Sequence, residues 1–178
     1  VNIPDFNEHG RRQRIQVWYP ELPPSANAIY FSGTRLTDTA REYKERFRQY
    51  MQQYYGHQLN EFVEPNEKYT DPKDGKTKDL RTQAPNLIFG IELTFFMDCL
   101  TSWGDSTLPK SRRAKFRFAK TDVTNRIKFV EDCFKTVLDI DDSLTFDSRE
   151  RKIHNLEQQG VHIDYFVVPV EQYNLPRI

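Results

Sequence analysis

Cysteine is scarce. Cys99 and Cys133 are the only two in 178 residues, with no C-x-x-C pair, which argues against a disulfide framework and a cysteine zinc cluster and leaves both as small buried hydrophobes. Glycine is thin too: the 7 glycines are scattered, so the chain offers neither a Walker phosphate loop nor a dinucleotide fingerprint, and no Gly-x-Ser-x-Gly elbow occurs. His9, His57, His154 and His162 have no metal-binding spacing and read as incidental. No run of 18 apolar residues is present, and the amino-terminal segment lacks the apolar core of a secretory signal. From these absences the chain is expected to be soluble and cytoplasmic, without a membrane partner. Net charge is missing as well. Lys plus Arg and Asp plus Glu number 26 each, so attraction to a polyanion has to come from local patches.

Aromatics are plentiful. Thirteen Phe and nine Tyr, in a chain that is 37% hydrophobic, predict a folded globule, and the length fits one domain over 1–178. Ile15, Val17 and Tyr19 alternate with polar neighbours and run into Pro23-Pro24, a strand entering a fixed turn. From Thr37 to about Tyr55 the spacing of Ala40, Tyr43, Phe47, Tyr50 and Met51 predicts a helix capped by Thr37 or Asp38. Residues 56–85 are polar, hold three prolines and read as a loop or insertion. Alternation from Leu87 to Met97 predicts a strand, the segment from Thr121 or Asp122 to about Asp139 a helix, and 144–153 and 161–169 two further strands. The order β, α, β, α, β, β implies an α/β or α+β sheet with helices packed on it.

The charges are unevenly spread. "KSRRAKFRFAK" (110–120) holds six basic residues and no acid, and "TDVTNRIKFVEDCF" follows it directly. On a helix that advances about 100° per residue, Asp122, Asn125, Lys128 and Asp132 share a sector of about 120°, roughly opposite Val123, Ile127, Val130, Phe134, Val137 and Leu138. One reading of the polar stripe is a solvated face with a Lys128–Asp132 pair contributing only ~0.3–0.5 kcal/mol. The other takes in "DIDDS", which brings Asp139, Asp141 and Asp142 just beyond the helix. Clustered carboxylates suit a hard cation, Mg²⁺ or in its place Mn²⁺, that keeps waters and bridges to phosphate oxygens, with a nearby lysine to stabilise charge on phosphate. Such a set describes metal-dependent phosphodiester cleavage. Lys110, Arg112, Arg113, Lys115, Arg117 and Lys120 then line a DNA path, or else blunt a sheet edge. Arg149 and Arg151, with Lys152, extend the same surface, diluted by Glu150.

Asp122, Asn125, Lys128, Asp132 and the Asp141–Asp142 pair match, in order and nearly in spacing, the core motif of the RusA-type Holliday-junction resolvases, which this stretch resembles. A second segment agrees: "LPPSANAIYF", with Pro23, Pro24, Ser25, Asn27 and Tyr30, and then Tyr43 on a helix. The resemblance covers roughly 15–55 and 86–170 and leaves 56–85 and 99–114 as loop insertions. It implies a small mixed sheet flanked by helices, a homodimer, and nicking of four-way DNA junctions in recombination or repair. It further implies Mg²⁺ held by Asp122, Asp141 and Asp142, Lys128 assisting attack of water, and Asn125 orienting Asp122 or that water. Asn27 and Tyr30 could touch DNA or serve the structure. One position departs from the pattern. Thr124 stands where the family has a second acid, so either the three aspartates suffice, or Asp98, Glu131 or Asp139 fills the gap, or activity is reduced. The alternatives are a relative that binds branched DNA without cutting it, and a dimeric interaction protein.

Overall fold

The computed structural model describes residues 5, 11–31, 35–62, 68–70, 72–79, 88–117, 124–140 and 145–168, with 26, 68–70, 77–79, 124 and 125 described by backbone alone. The elements are β1 (Arg14–Tyr19), α1 (Ala26–Ile29), β2 (Tyr30–Phe31), β3 (Arg35–Leu36), α2 (Asp38–Phe62), β4 (Lys68–Thr70), β5 (Thr77–Asp79), β6 (Ile88–Met97), α3 (Thr124–Leu138), β7 (Thr145–His154) and β8 (Gly160–Val168). The fold is α+β. A mixed four-stranded sheet runs in the order β1-β8-β6-β7, and β2–β3 and β4–β5 form two small antiparallel pairs.

Period-two alternation sets the faces of the main sheet. Ile15, Val17 and Tyr19 of β1, Ile91, Leu93 and Phe95 of β6, and Val161, Ile163 and Tyr165 of β8 are buried. Both long helices lie over this face. Phe47 of α2 meets Tyr19 at 4.8 Å, and Phe134 of α3 meets Tyr165 at 5.4 Å and Phe47 at 6.5 Å. The opposite face carries Arg14, Gln16 and Trp18 beside His162, Asp164 and Phe166. Asp164 is buried there by the Arg14 guanidinium and accepts a further bond of 3.1 Å from Gln16. Phe166 lies across Gly90, where a Cβ would meet its ring at 2.2 Å.

Thr37 caps α2, its hydroxyl accepting the Ala40 N–H at 3.1 Å and donating to Ala28 at 2.5 Å, which ties α1 to the start of the long helix. Segment 56–85 is not the plain loop its composition suggests. Helix α2 runs on through Gly56 to Phe62, because Leu59 and Phe62 continue its apolar stripe and Phe62 packs on Phe89 (5.9 Å) and Tyr165 (5.7 Å). That burial offsets the ~1 kcal/mol helix cost of a glycine. Beyond it, β4 and β5 pair as a hairpin within the same segment.

The cysteines behave as small hydrophobes. Both are free and buried, and burial pushes the Cys133 thiol up to about 12. Among the described residues no helix is long and apolar enough to cross a membrane.

Candidate nucleic-acid interface

β6 and β7 pair in parallel, from Phe89↔Thr145 to Met97↔His154, so the chain between them must cross over. The crossover contains the basic stretch and α3. At its start the strand ends are tied: the Cys99 N–H donates to His154 Nδ1 at 3.2 Å and the Asn155 N–H to the Met97 carbonyl at 3.1 Å.

From there residues 101–117 make a closed excursion. The Thr101 N–H donates to the Arg117 carbonyl at 3.0 Å, and the Ala114 N–H to the Ser102 hydroxyl at 3.3 Å. Asp105 holds the tip by accepting from the Thr107 N–H (2.8 Å) and hydroxyl (2.5 Å), bonds that keep its carboxyl below the usual range. Lys110, Arg112, Lys115 and Arg117 are exposed on this loop. Arg113 is not equivalent to them. Its guanidinium donates to the carbonyls of Leu108 (2.9 Å) and Ser106 (3.4 Å), so it braces the loop. Lys120 lies outside the described residues.

On α3 Val130, Phe134 and Leu138 of the expected apolar stripe are buried and Ile127 and Val137 half-buried. The buried face also takes in Phe129 and Cys133, which the angular reading left out, while Lys128 is exposed as that reading expects. Asp132 is half-buried, one turn on, and lines an open groove of about 450 Å³ with Lys44, Lys135, Thr136, Asp139 and Ile140. The helix ends with Asp139 at φ 56 and the Ile140 N–H returning to the Lys135 carbonyl at 3.1 Å, the pattern of a Schellman stop. The Asn125 side chain, and Asp122, Asp141 and Asp142 altogether, lie outside the described residues. Among the described residues no three His, Cys, Asp or Glu come together as a metal site.

The three acids named as stand-ins for the acid missing at Thr124 can be placed. Glu131 is engaged with Lys135 at 2.8 Å, Asp98 accepts from the Leu100 N–H at 3.2 Å, and Asp139 is at the far end of α3. Asn27 is exposed on α1. Arg149 is bonded to Asp147 at 3.0 Å and Arg151 to Glu92, so these two arginines on β7 already have carboxylate partners.

Two further residues stand out. Arg126, in the first turn of α3, is half-buried, its Nε has no hydrogen-bond partner among the described residues, and burial lowers its pKa. A cation held partly out of water, with no acid beside it among the described residues, is suited to an incoming phosphate. Its signal in the sequence was its place four residues after Asp122, one helical turn on. Lys135 is buried against Glu131, although its helical angle, close to that of Lys128, gave no hint of it. No protein-family model matches the chain, and no curated protein matches it either.

Proposed function

We propose that this protein is a Mg²⁺-dependent endonuclease selective for branched DNA, of the RusA type, acting as a homodimer on four-way junctions. What supports the reading most is the placement of Lys128. It is exposed on a helix whose opposite face is buried, in a crossover whose preceding loop exposes Lys110, Arg112, Lys115 and Arg117. A polyanion lying on that loop would reach the start of α3, where Arg126 and Lys128 would engage phosphate. Asp122, Asp141 and Asp142 would hold Mg²⁺, which lowers the pKa of bound water and neutralises charge on phosphate. Two subunits related by a two-fold axis suit a substrate that needs paired nicks.

The metal set carries a geometric requirement. Helix α3 has 15 residues, about 22 Å of rise, and Ile140 is still tied to its last turn. Asp122 is two residues before the helix and Asp142 two beyond Ile140, each within about 7 Å of its anchor. A shared ion therefore needs both short segments to run back along α3. Titrating Mn²⁺ into wild type, Asp122→Asn and Asp142→Asn checks this. Both variants should lose the same site, whereas loss in only one would split the metal set.

Thr124 favours a second reading, a protein that binds junctions without cutting them, because a threonine hydroxyl is a weak neutral ligand in place of a carboxylate. A labelled synthetic junction and a matched linear duplex, each with Mg²⁺ or Mn²⁺, separate the two. Symmetric nicks in the junction, lost in Asp142→Asn and raised in Thr124→Asp, support the enzyme; tight binding with no cleavage in either metal sinks it in favour of the binder.

A further inference from the structure

Large apolar side chains on a surface need a reason when they gather. On the 101–117 loop Trp103 is 51% and Phe116 60% exposed, with Leu100 at 39% at its root. The two aromatics are 13 positions apart in the chain, yet their backbones meet at a single atom. The Thr101 hydroxyl accepts the Trp103 N–H at 3.3 Å and donates to the Phe116 carbonyl. The loop that carries them is fixed at its base, at Ser102 and at Asp105, so both rings are presented from a rigid frame. Asp105 is the only acid between Cys99 and Lys120, and its carboxylate is engaged by Thr107.

We propose that Trp103 and Phe116, clasped by the Thr101 hydroxyl and set among Lys110, Arg112, Lys115 and Arg117, form a stacking platform for the unpaired bases of single-stranded DNA. The inference rests on the DNA-binding part of the function proposed above and adds which DNA the loop takes. Cations alone recognise any duplex by its phosphates, whereas an exposed aromatic pair is of use only where a base face is open. At a branch point, such faces open when pairs at the crossover come apart.

The chain has two tryptophans, Trp18 and Trp103, so a Trp18→Phe variant reports on the loop alone. Its fluorescence should be quenched saturably by an oligothymidylate of about ten nucleotides and far less by a blunt duplex. Trp103→Ala with Phe116→Ala should weaken oligothymidylate binding roughly ten- to a hundredfold with the salt slope unchanged. Trp103→Phe should keep most of the affinity, and Lys110→Ala with Lys115→Ala should instead flatten the salt slope. Circular dichroism of each variant should match wild type, since both rings are exposed. Unchanged affinity in the aromatic double variant, or equal quenching by duplex and single strand, would overturn the platform. Junction cleavage measured on the same preparations keeps the two proposals apart: cleavage without quenching leaves the nuclease and removes the platform, and quenching without cleavage does the reverse.

Discussion

The two edges of the main sheet are built in opposite ways. At β1 the edge is sealed by α2. The Trp18 N–H donates to the Tyr55 hydroxyl at 3.0 Å, the Arg12 N–H reaches the Glu61 carbonyl at 3.4 Å, and the Arg12 guanidinium binds the Glu61 carboxylate at 3.0 Å. At β7 every residue from Ser148 to His154 is exposed. Charge guards that edge, through Arg149, Glu150, Arg151 and Lys152, the usual defence of an uncovered strand. The difference teaches where the molecule keeps its stability and where it is free to carry charge. Aromatic packing is concentrated under α2 and α3, and the crossover that feeds β7 spends its residues on a basic surface.

Alkali should act most strongly on this contrast, because the groups held protonated by burial lie on the packed side. Burial raises the pKa of Tyr19, Tyr43, Tyr165 and Cys133, the last to about 12. The fold therefore favours the protonated forms. Their contribution is fully present below the unfolded thiol and phenol values, near 8.5 and 10, and is lost as pH rises toward the folded ones. Cooperative unfolding between about pH 10 and 12, followed by near-ultraviolet circular dichroism, is expected; a signal unchanged to pH 12 would refute the assignment. Phe47→Ala comes next, at about 3–5 kcal/mol in urea denaturation, against under about 0.5 kcal/mol for Phe146→Ala on β7. Phe47 is fully buried against Tyr19 and Phe134, and Phe146 is 57% exposed.

Tyr55→Phe tests the seal itself. It leaves the Trp18 N–H without its partner and should cost about 1–2 kcal/mol, with faster hydrogen exchange at that amide. The smallest change in stability, within about 0.5 kcal/mol, is expected from Lys152→Thr with Arg149→Thr. That pair of changes should instead let β7 edges meet, seen as concentration-dependent association in size-exclusion chromatography.

The sealed side was the legible one. Strand β1 and helix α2 announce themselves because each buries one face against a core, so polarity alternates at the matching period. The continuation of α2 past Gly56 was hidden because it depends on Phe89 and Tyr165, distant residues that give Phe62 its burial. The pairing of β6 with β7 was hidden for a related reason: no local pattern encodes which strand lies alongside. Within the candidate site, the exposure of Lys128 agrees with its place on the polar side of α3. The bracing role of Arg113 depends on how the 101–117 loop closes, and the burial of Arg126 and Lys135 on how α3 packs, which spacing does not reveal.

The sheet order has a consequence for how the chain comes to be folded. β8 follows β1 and β6 in the chain, yet it lies between them and pairs antiparallel with both. Until Gly160–Val168 is made, β1 with its helix and the β6–β7 pair with its crossover lack the strand that joins them, leaving β1 and one edge of β6 open. β8 is the keystone, because the sheet closes only when this strand, far along the chain from β1, is in place.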